Sequence, residues 1–249
     1  MKKYIVITGG LGYIGTELCK IYSGISWNNK ITIIDNRFIS ERVNQIRNWG
    51  MNFVHGDILD KDLINKHCKD ADIIHHLAGI TEVPRVKSES SSVKDEKIKL
   101  VAETGTQNIL NAMSDKCKIL LPSTHVVYEG VTEVKNNILE NDKVKPILSY
   151  ANSKAINEEQ LKKSGKNYII LRLGSVYGYS TDTARIDIMP NLFSKIASQD
   201  GTLKLFAAGR QVKSLVPLID VARCFKFMEE RDDISSELFN LTKETITVK

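Results

Sequence analysis

Residues Tyr4–Leu18 read YIVITGGLGYIGTEL. A β-branched run, Tyr4–Thr8, gives way to Gly9, Gly12 and Gly15 at the spacing G-x-x-G-x-x-G, and an amphipathic helix starts at once. Glycines at this point permit a tight turn and let the backbone approach a pyrophosphate, while the helix behind them offers free N–H groups and its positive dipole end. Three glycines in isolation are any tight turn; with a strand before and a helix after, they predict a dinucleotide-binding unit.

The next apolar run, Ile31–Ile34, ends at Asp35, about twenty residues past the last glycine, where an acid takes the ribose hydroxyls. A carboxylate there repels a 2′-phosphate, which favours NAD over NADP; Arg37, two residues on, argues the other way, and Asp35 could simply cap its strand. The third run, Asn52–Val54, leads to His55-Gly56-Asp57-Ile58. Asp57 could bond the adenine amino group with Ile58 over the ring, or Asp57 could cap the helix that starts near Asp60.

Working outward, Asp72–His76, Lys118–Leu121 and Tyr168–Leu171 read as further strands, and Tyr13–Tyr22, Ser40–Arg47, Lys61–Cys68, a long stretch within Ser92–Met113 and Tyr150–Lys163 as helices. Strand–helix–strand alternation implies parallel pairing, and strands apolar throughout imply a sheet covered on both faces. The predicted fold is α/β, a doubly wound parallel Rossmann-type sheet. Residues 1–173 form the dinucleotide-binding domain, and 174–249 a small substrate-binding region interleaved with the sheet. Past Gly174 the pattern gives a loop at Gly178–Thr183, helices near Asn191–Ser198 and Asp220–Glu229, and strands near Thr202–Phe206 and Leu238–Leu241.

The chain has 249 residues, is 42% hydrophobic and carries a net charge of +5. Its lysines are scattered, with no basic block and no aromatic interleaving, so nucleic acid is not an expected partner. Cys19, Cys68, Cys117 and Cys224 lie far apart with no metal or redox spacing, which predicts reduced thiols in a cytoplasmic protein and no metal site. No run approaches the ~18 apolar residues of a membrane span, and the apolar start MKKYIVITGG is too short for a signal peptide.

Tyr150 and Lys154 stand four apart on one face of a predicted helix. A neighbouring ammonium favours the ionised phenol, which makes the tyrosine usable as a general base near neutral pH. The run ILLPSTHVVYEG places the hydroxyls of Ser123 and Thr124 at a strand end, where parallel sheets meet their ligands. His75 and His76 read as packed residues beside a buried strand, and His125 as a loop residue beside the pocket.

TGGLGYIG, Asp35, HHLAG, STHVVY, YANSK and RLGSVYG occur in the order of the extended short-chain dehydrogenase/reductase family, and the chain resembles its NAD-dependent epimerase/dehydratase branch, which acts on nucleotide sugars. The resemblance covers essentially the whole chain. It implies a catalytic triad of Thr124, Tyr150 and Lys154, with Lys154 also holding the nicotinamide ribose. It implies cofactor contacts at Gly9, Gly12, Tyr13, Ile14, Gly15, Asp35, Asn36, Asp57, Ile58, Leu77, Ala78, Gly79, Ser123, Tyr150 and Lys154, and substrate contacts at Thr81, Ser175 and Lys213. Ser175 replaces a usual asparagine, Lys213 a usual arginine on the substrate diphosphate, and Ala102 another asparagine; Glu140 matches a structural acid of the family. The implied activity is epimerisation of a nucleotide sugar through a keto intermediate re-reduced by the same NAD. A reductase or dehydrogenase, or a dinucleotide-binding module without chemistry, are the alternatives. Family members often dimerise through helices corresponding to those within Ser92–Met113 and at Tyr150–Lys163, so a homodimer is expected. Relatives continue past a strand like Leu238–Leu241, so the substrate-binding subdomain is expected to be incomplete and to hold nucleotide sugars weakly.

Overall fold

A computed structural model describes residues 2–25, 28–81, 91–132, 137–181 and 185–249. Six strands run β1 (Tyr4–Thr8), β2 (Lys30–Asp35), β3 (Asn52–His55), β4 (Ile73–His76), β5 (Lys118–Thr124) and β6 (Asn167–Leu173). Between them lie α1 (Tyr13–Ser23), α2 (Ser40–Asn48), α3 (Lys61–Cys68), α4 (Ser92–Ala112) and α5 (Ser149–Lys163). The chain continues with β7 (Ser175–Tyr177), α6 (Met189–Ala197), β8 (Val212–Pro217), α7 (Leu218–Glu230), β9 (Glu237–Leu241) and β10 (Glu244–Thr247).

The large sheet has the order β3-β2-β1-β4-β5-β6-β9, and every pairing in it is parallel. The strand order reverses between β1 and β4, which opens the crevice where such sheets bind ligands. Alternate side chains serve opposite faces. Ile5, Ile7, Ile33 and Ile73 join Leu18, Tyr22, Val43 and Phe225 under α1, α2 and α7, whereas Val6, Ile34 and Ile74 join Ile64, Ile109 and Leu161 under α3, α4 and α5. Two covered faces explain why apolar residues in these strands follow one another without alternation.

The expected strands and helices of the first 173 residues are all present, with ends that differ by up to three residues. Beyond Gly174 the chain builds a second sheet, β10-β8-β7, and also returns α7 and β9 to the large one. Three strands were not read from the pattern: β7, β8 and β10. The strand expected near Thr202–Phe206 is absent. Its apolar–polar alternation finds no partner, Leu203, Leu205 and Phe206 are exposed, and the chain instead enters a 3₁₀ turn at Phe206–Gly209 with Ala208 and Gly209 at positive φ. Of the loop expected at Gly178–Thr183, residues 182 and 183 lie outside the described residues. No helix among the described residues is long and apolar enough to cross a membrane.

Candidate active site

The glycine loop closes tightly on the sheet. Gly9 has φ +73°, its N–H donates to Ile34 O at 2.7 Å, and a Cβ there would lie 2.6 Å from Ala78 N. A Cβ on Gly15 would lie 2.4 Å from Gly9 O. Any side chain at these two positions would therefore push α1 and the Leu77–Gly79 turn off the strand ends. Helix α1 begins with no side-chain cap and no acid in its first turn. Its N-terminus is thus a cradle of the kind that takes an anionic phosphate.

Asp35 is built into this loop. Its buried carboxylate accepts from Leu11 N and Arg37 N, both at 2.9 Å, and lies 3.5 Å from the Arg37 guanidinium. The alternative of a bare strand cap undersells it, because the same carboxylate fixes the glycine loop and keeps its negative charge at the cradle's edge. Asn36 donates from Nδ2 to Asp57 Oδ2 at 3.0 Å. The helix cap at α3 is Asp60, which accepts from Leu63 N, while Asp57 accepts from Leu59 N and shapes the turn before it. Ile58 turns into the core, where its side chain fills the space against Gly105 of α4. The glycine cradle, the helix end and the placed acid fit a dinucleotide.

Tyr150, Thr124 and Lys154 converge across β5 and α5. Thr124 hydrogen-bonds the Tyr150 phenol, while its own Oγ1 accepts from Val126 N at 3.3 Å. Burial raises the Tyr150 pKa above the ordinary value, and the leading charge pulling it down is Arg185, with the Thr124 hydrogen bond behind it. Lys154 is buried one turn on, with Nζ 3.9 Å from where a Cβ on Gly79 would stand. Burial pulls its ammonium down to about 8 against the opposing pull of Glu158. Lys154 and the Leu77–Gly79 turn thus face each other across the crevice.

Ser123 is in this neighbourhood, but its hydroxyl is committed: it donates to Glu158 Oε1 at 2.5 Å. Glu158 takes Arg172 as well, through Nε at 2.9 Å and Nη2 at 2.6 Å. Arg172 also donates to the Tyr128 hydroxyl and to Glu140 O. Glu140 is structural, its carboxylate accepting from Asn240 N at 2.8 Å. Both strand histidines are buried in opposite faces. His75 bonds Tyr22 and Glu229; His76 bonds Thr8 and Thr106. Burial pushes both down to about 3, so they are neutral packing groups. His125 donates from Nδ1 to Leu173 O at 2.9 Å, and burial lowers its pKa.

The expected substrate contacts are scattered more widely. Thr81 is exposed, and its carbonyl accepts from Arg185 Nη1 at 2.7 Å. Ser175 opens β7 opposite Leu215, and Lys213 lies on β8 where its charge is felt by His125. Tyr13 reaches from the glycine loop to this side, donating to Gly178 O at 2.5 Å and accepting from Asn191 Nδ2 at 3.1 Å. Ile14 is partly buried against the core.

Sequence reasoning missed Glu158, Arg172 and Arg185. Glu158 continues the Tyr150–Lys154 spacing by a further four residues, and an arginine inside the apolar strand IILRL requires a buried partner. Those two were discoverable. Arg185 was not, because only the folded loop between β7 and α6 carries it to Thr81.

The model of the NAD-dependent epimerase/dehydratase family matches residues 5–242. A UDP-N-acetyl-alpha-D-glucosaminuronate decarboxylase from Bacillus cytotoxicus is 26% identical, covering 98% of this chain and 76% of its own. A crystal structure of UDP-glucuronic acid 4-epimerase from Bacillus cereus with UDP-glucuronic acid and NAD is 25% identical at a TM-score of 0.80, covering 98% of this chain and 79% of its own. A UDP-N-acetylglucosamine 4-epimerase from Methanobrevibacter ruminantium shares the fold at a TM-score of 0.81 and 23% identity, over 100% of this chain and 79% of its own.

Proposed function

The chain belongs to the NAD-dependent epimerase/dehydratase family, and from that membership we propose that it is a nucleotide-sugar 4-epimerase. The relatives named above are UDP-sugar proteins, and we carry that substrate class over. When bound, NAD supplies reversible hydride exchange at a sugar carbon. The chain supplies the rest. Tyr150 takes the alcohol proton as the hydroxyl is oxidised and returns it afterwards. Thr124, hydrogen-bonded to that phenol, steadies the sugar oxygen. Lys154 holds the nicotinamide ribose, a role supported by its position across the crevice from Gly79. Gly9, Gly12 and Gly15 admit the pyrophosphate, and Asp35 takes the adenosine ribose.

One observation favours epimerisation over dehydration. Loss of water from a 4-keto sugar requires a positioned acid to protonate the departing hydroxyl. The residues after Thr124 are His125 and Val126, and neither offers a carboxyl group. The His125 ring donates its Nδ1 proton to Leu173 O, and burial favours its uncharged form. No 4-keto-6-deoxy product is therefore expected from any nucleotide sugar; its appearance would make His125 the suspected acid. The activity itself is tested by incubating purified protein and NAD with UDP-, GDP-, CDP- and dTDP-sugars. An epimeric product without net NADH supports the proposal. Stoichiometric NADH formation would make the protein a dehydrogenase, and NAD binding with no conversion would make it a binding module.

Cofactor choice gives a separate test. In this reading the Asp35 carboxylate meets the adenosine ribose, and like charges near ~4 Å from a 2′-phosphate would cost on the order of 1–4 kcal/mol. NAD should bind at least ~10-fold more tightly than NADP in direct titrations. Equal or tighter NADP binding would mean that Arg37 governs the site.

A further inference from the structure

Arg185 is a guanidinium held at the mouth of the crevice. Its Nη1 donates to Thr81 O at 2.7 Å, which fixes the side chain beside the turn that follows β4. Its own carbonyl accepts from Asn191 Nδ2 at 3.0 Å, and Asn191 in turn bonds Gly178 N and the Tyr13 hydroxyl. The residue is thus tied through its backbone to the glycine loop and through its side chain to Thr81. Its charge reaches both the Tyr13 and Tyr150 phenols. Among the described residues no aspartate or glutamate pairs with it. Arg172, the other arginine near α5, has Glu158. Arg185 is partly buried, is held at Thr81, two residues past the Gly79 that Lys154 approaches, and pairs with no acid among the described residues.

We infer that Arg185 selects nucleotide sugars whose hexose carries a carboxylate at C6. The inference rests on the reading of Tyr150 as the group that meets the C4 hydroxyl. C6 is attached to C5, the ring neighbour of C4, so a carboxylate there lies on the Tyr150 side of the sugar. The diphosphate leaves from C1, across the ring. A guanidinium presents a planar fork of donors that matches a carboxylate, and the bond to Thr81 uses only one of its five N–H groups. A neutral hexose offers this fork no charge to match, whereas a sugar acid does.

The test is calorimetric titration of the NAD-loaded protein with UDP-glucuronate and UDP-glucose, repeated for Arg185→Leu and Arg185→Lys. NAD affinity serves as the control for a folded site. Wild-type protein should bind UDP-glucuronate at least ~10-fold more tightly than UDP-glucose. Arg185→Leu should lose ~10- to 100-fold on UDP-glucuronate, the scale of hydrogen bonds to charged groups, and change UDP-glucose little. Arg185→Lys should recover part of the loss. Equal losses on both ligands would place the guanidinium on the diphosphate and overturn the inference. Equal wild-type affinities would overturn it too, and would leave the epimerase reading standing. Binding of neither ligand by protein that binds NAD would overturn both.

Discussion

Replacing Tyr150 with phenylalanine should cut turnover by at least ~100-fold, the usual scale of acid–base catalysis, and leave NAD affinity nearly unchanged. The phenol is the proposed proton acceptor. Burial raises its pKa, so its reactivity depends on groups that favour the ionised form: the hydrogen bond from Thr124 and the charge of Arg185. Phenylalanine keeps the ring's packing and removes the atom on which all of these act. The proposed dinucleotide contacts of the glycine loop and Asp35 remain, because both lie on other elements. The measurement pairs steady-state turnover with NAD titration on the same preparation. Near-normal turnover would remove Tyr150 from its assigned role.

Glu158→Leu should destabilise the protein by ~3–5 kcal/mol, because it strands the Arg172 charge in the core. Arg172 and Glu158 are 3% and 2% exposed, and two of the guanidinium's nitrogens donate to this one carboxylate. The Ser123 hydroxyl loses its acceptor in the same stroke. The double variant Glu158→Leu/Arg172→Leu should recover most of the loss, since replacing a whole buried pair is often near neutral. Urea denaturation of the two variants measures this. A single-variant loss below ~1 kcal/mol would mean that water screens the pair as it does a surface salt bridge.

The two regions of the chain differ in how much of their structure was legible. Strands β1, β2, β4, β5 and β6 are largely buried on both faces, so each reads as a mostly apolar run with a turn at its end. The glycine loop and Asp35 follow from those ends by spacing alone. The small sheet gave no such pattern. Strand β7 has three residues, β10 is exposed throughout, and β8 ends in Pro217. Thr202–Phe206 misled for the opposite reason: its alternation is regular, yet Leu203 and Leu205 face solvent. The site divides likewise. Tyr150 and Lys154 share a helix face and could be paired from sequence. The charge acting on Tyr150 comes from a residue thirty-five positions away, on a loop whose course no local pattern fixes.

Strand β9 completes the edge of the large sheet beside β6, but it is synthesised only after residues 174–236 have been made. Until then the outer edge of β6 has no strand to receive its N–H and C=O groups. That edge includes Ile169, Ile170 and Leu171, all fully buried in the finished protein. An uncovered apolar edge is a template for pairing with another chain. A ribosome pausing between residues 174 and 236 would hold the nascent protein in that state. Its yield in the cell should therefore depend on elongation rate through that stretch, and on chaperones that shield strand edges, more than on the stability of the completed fold.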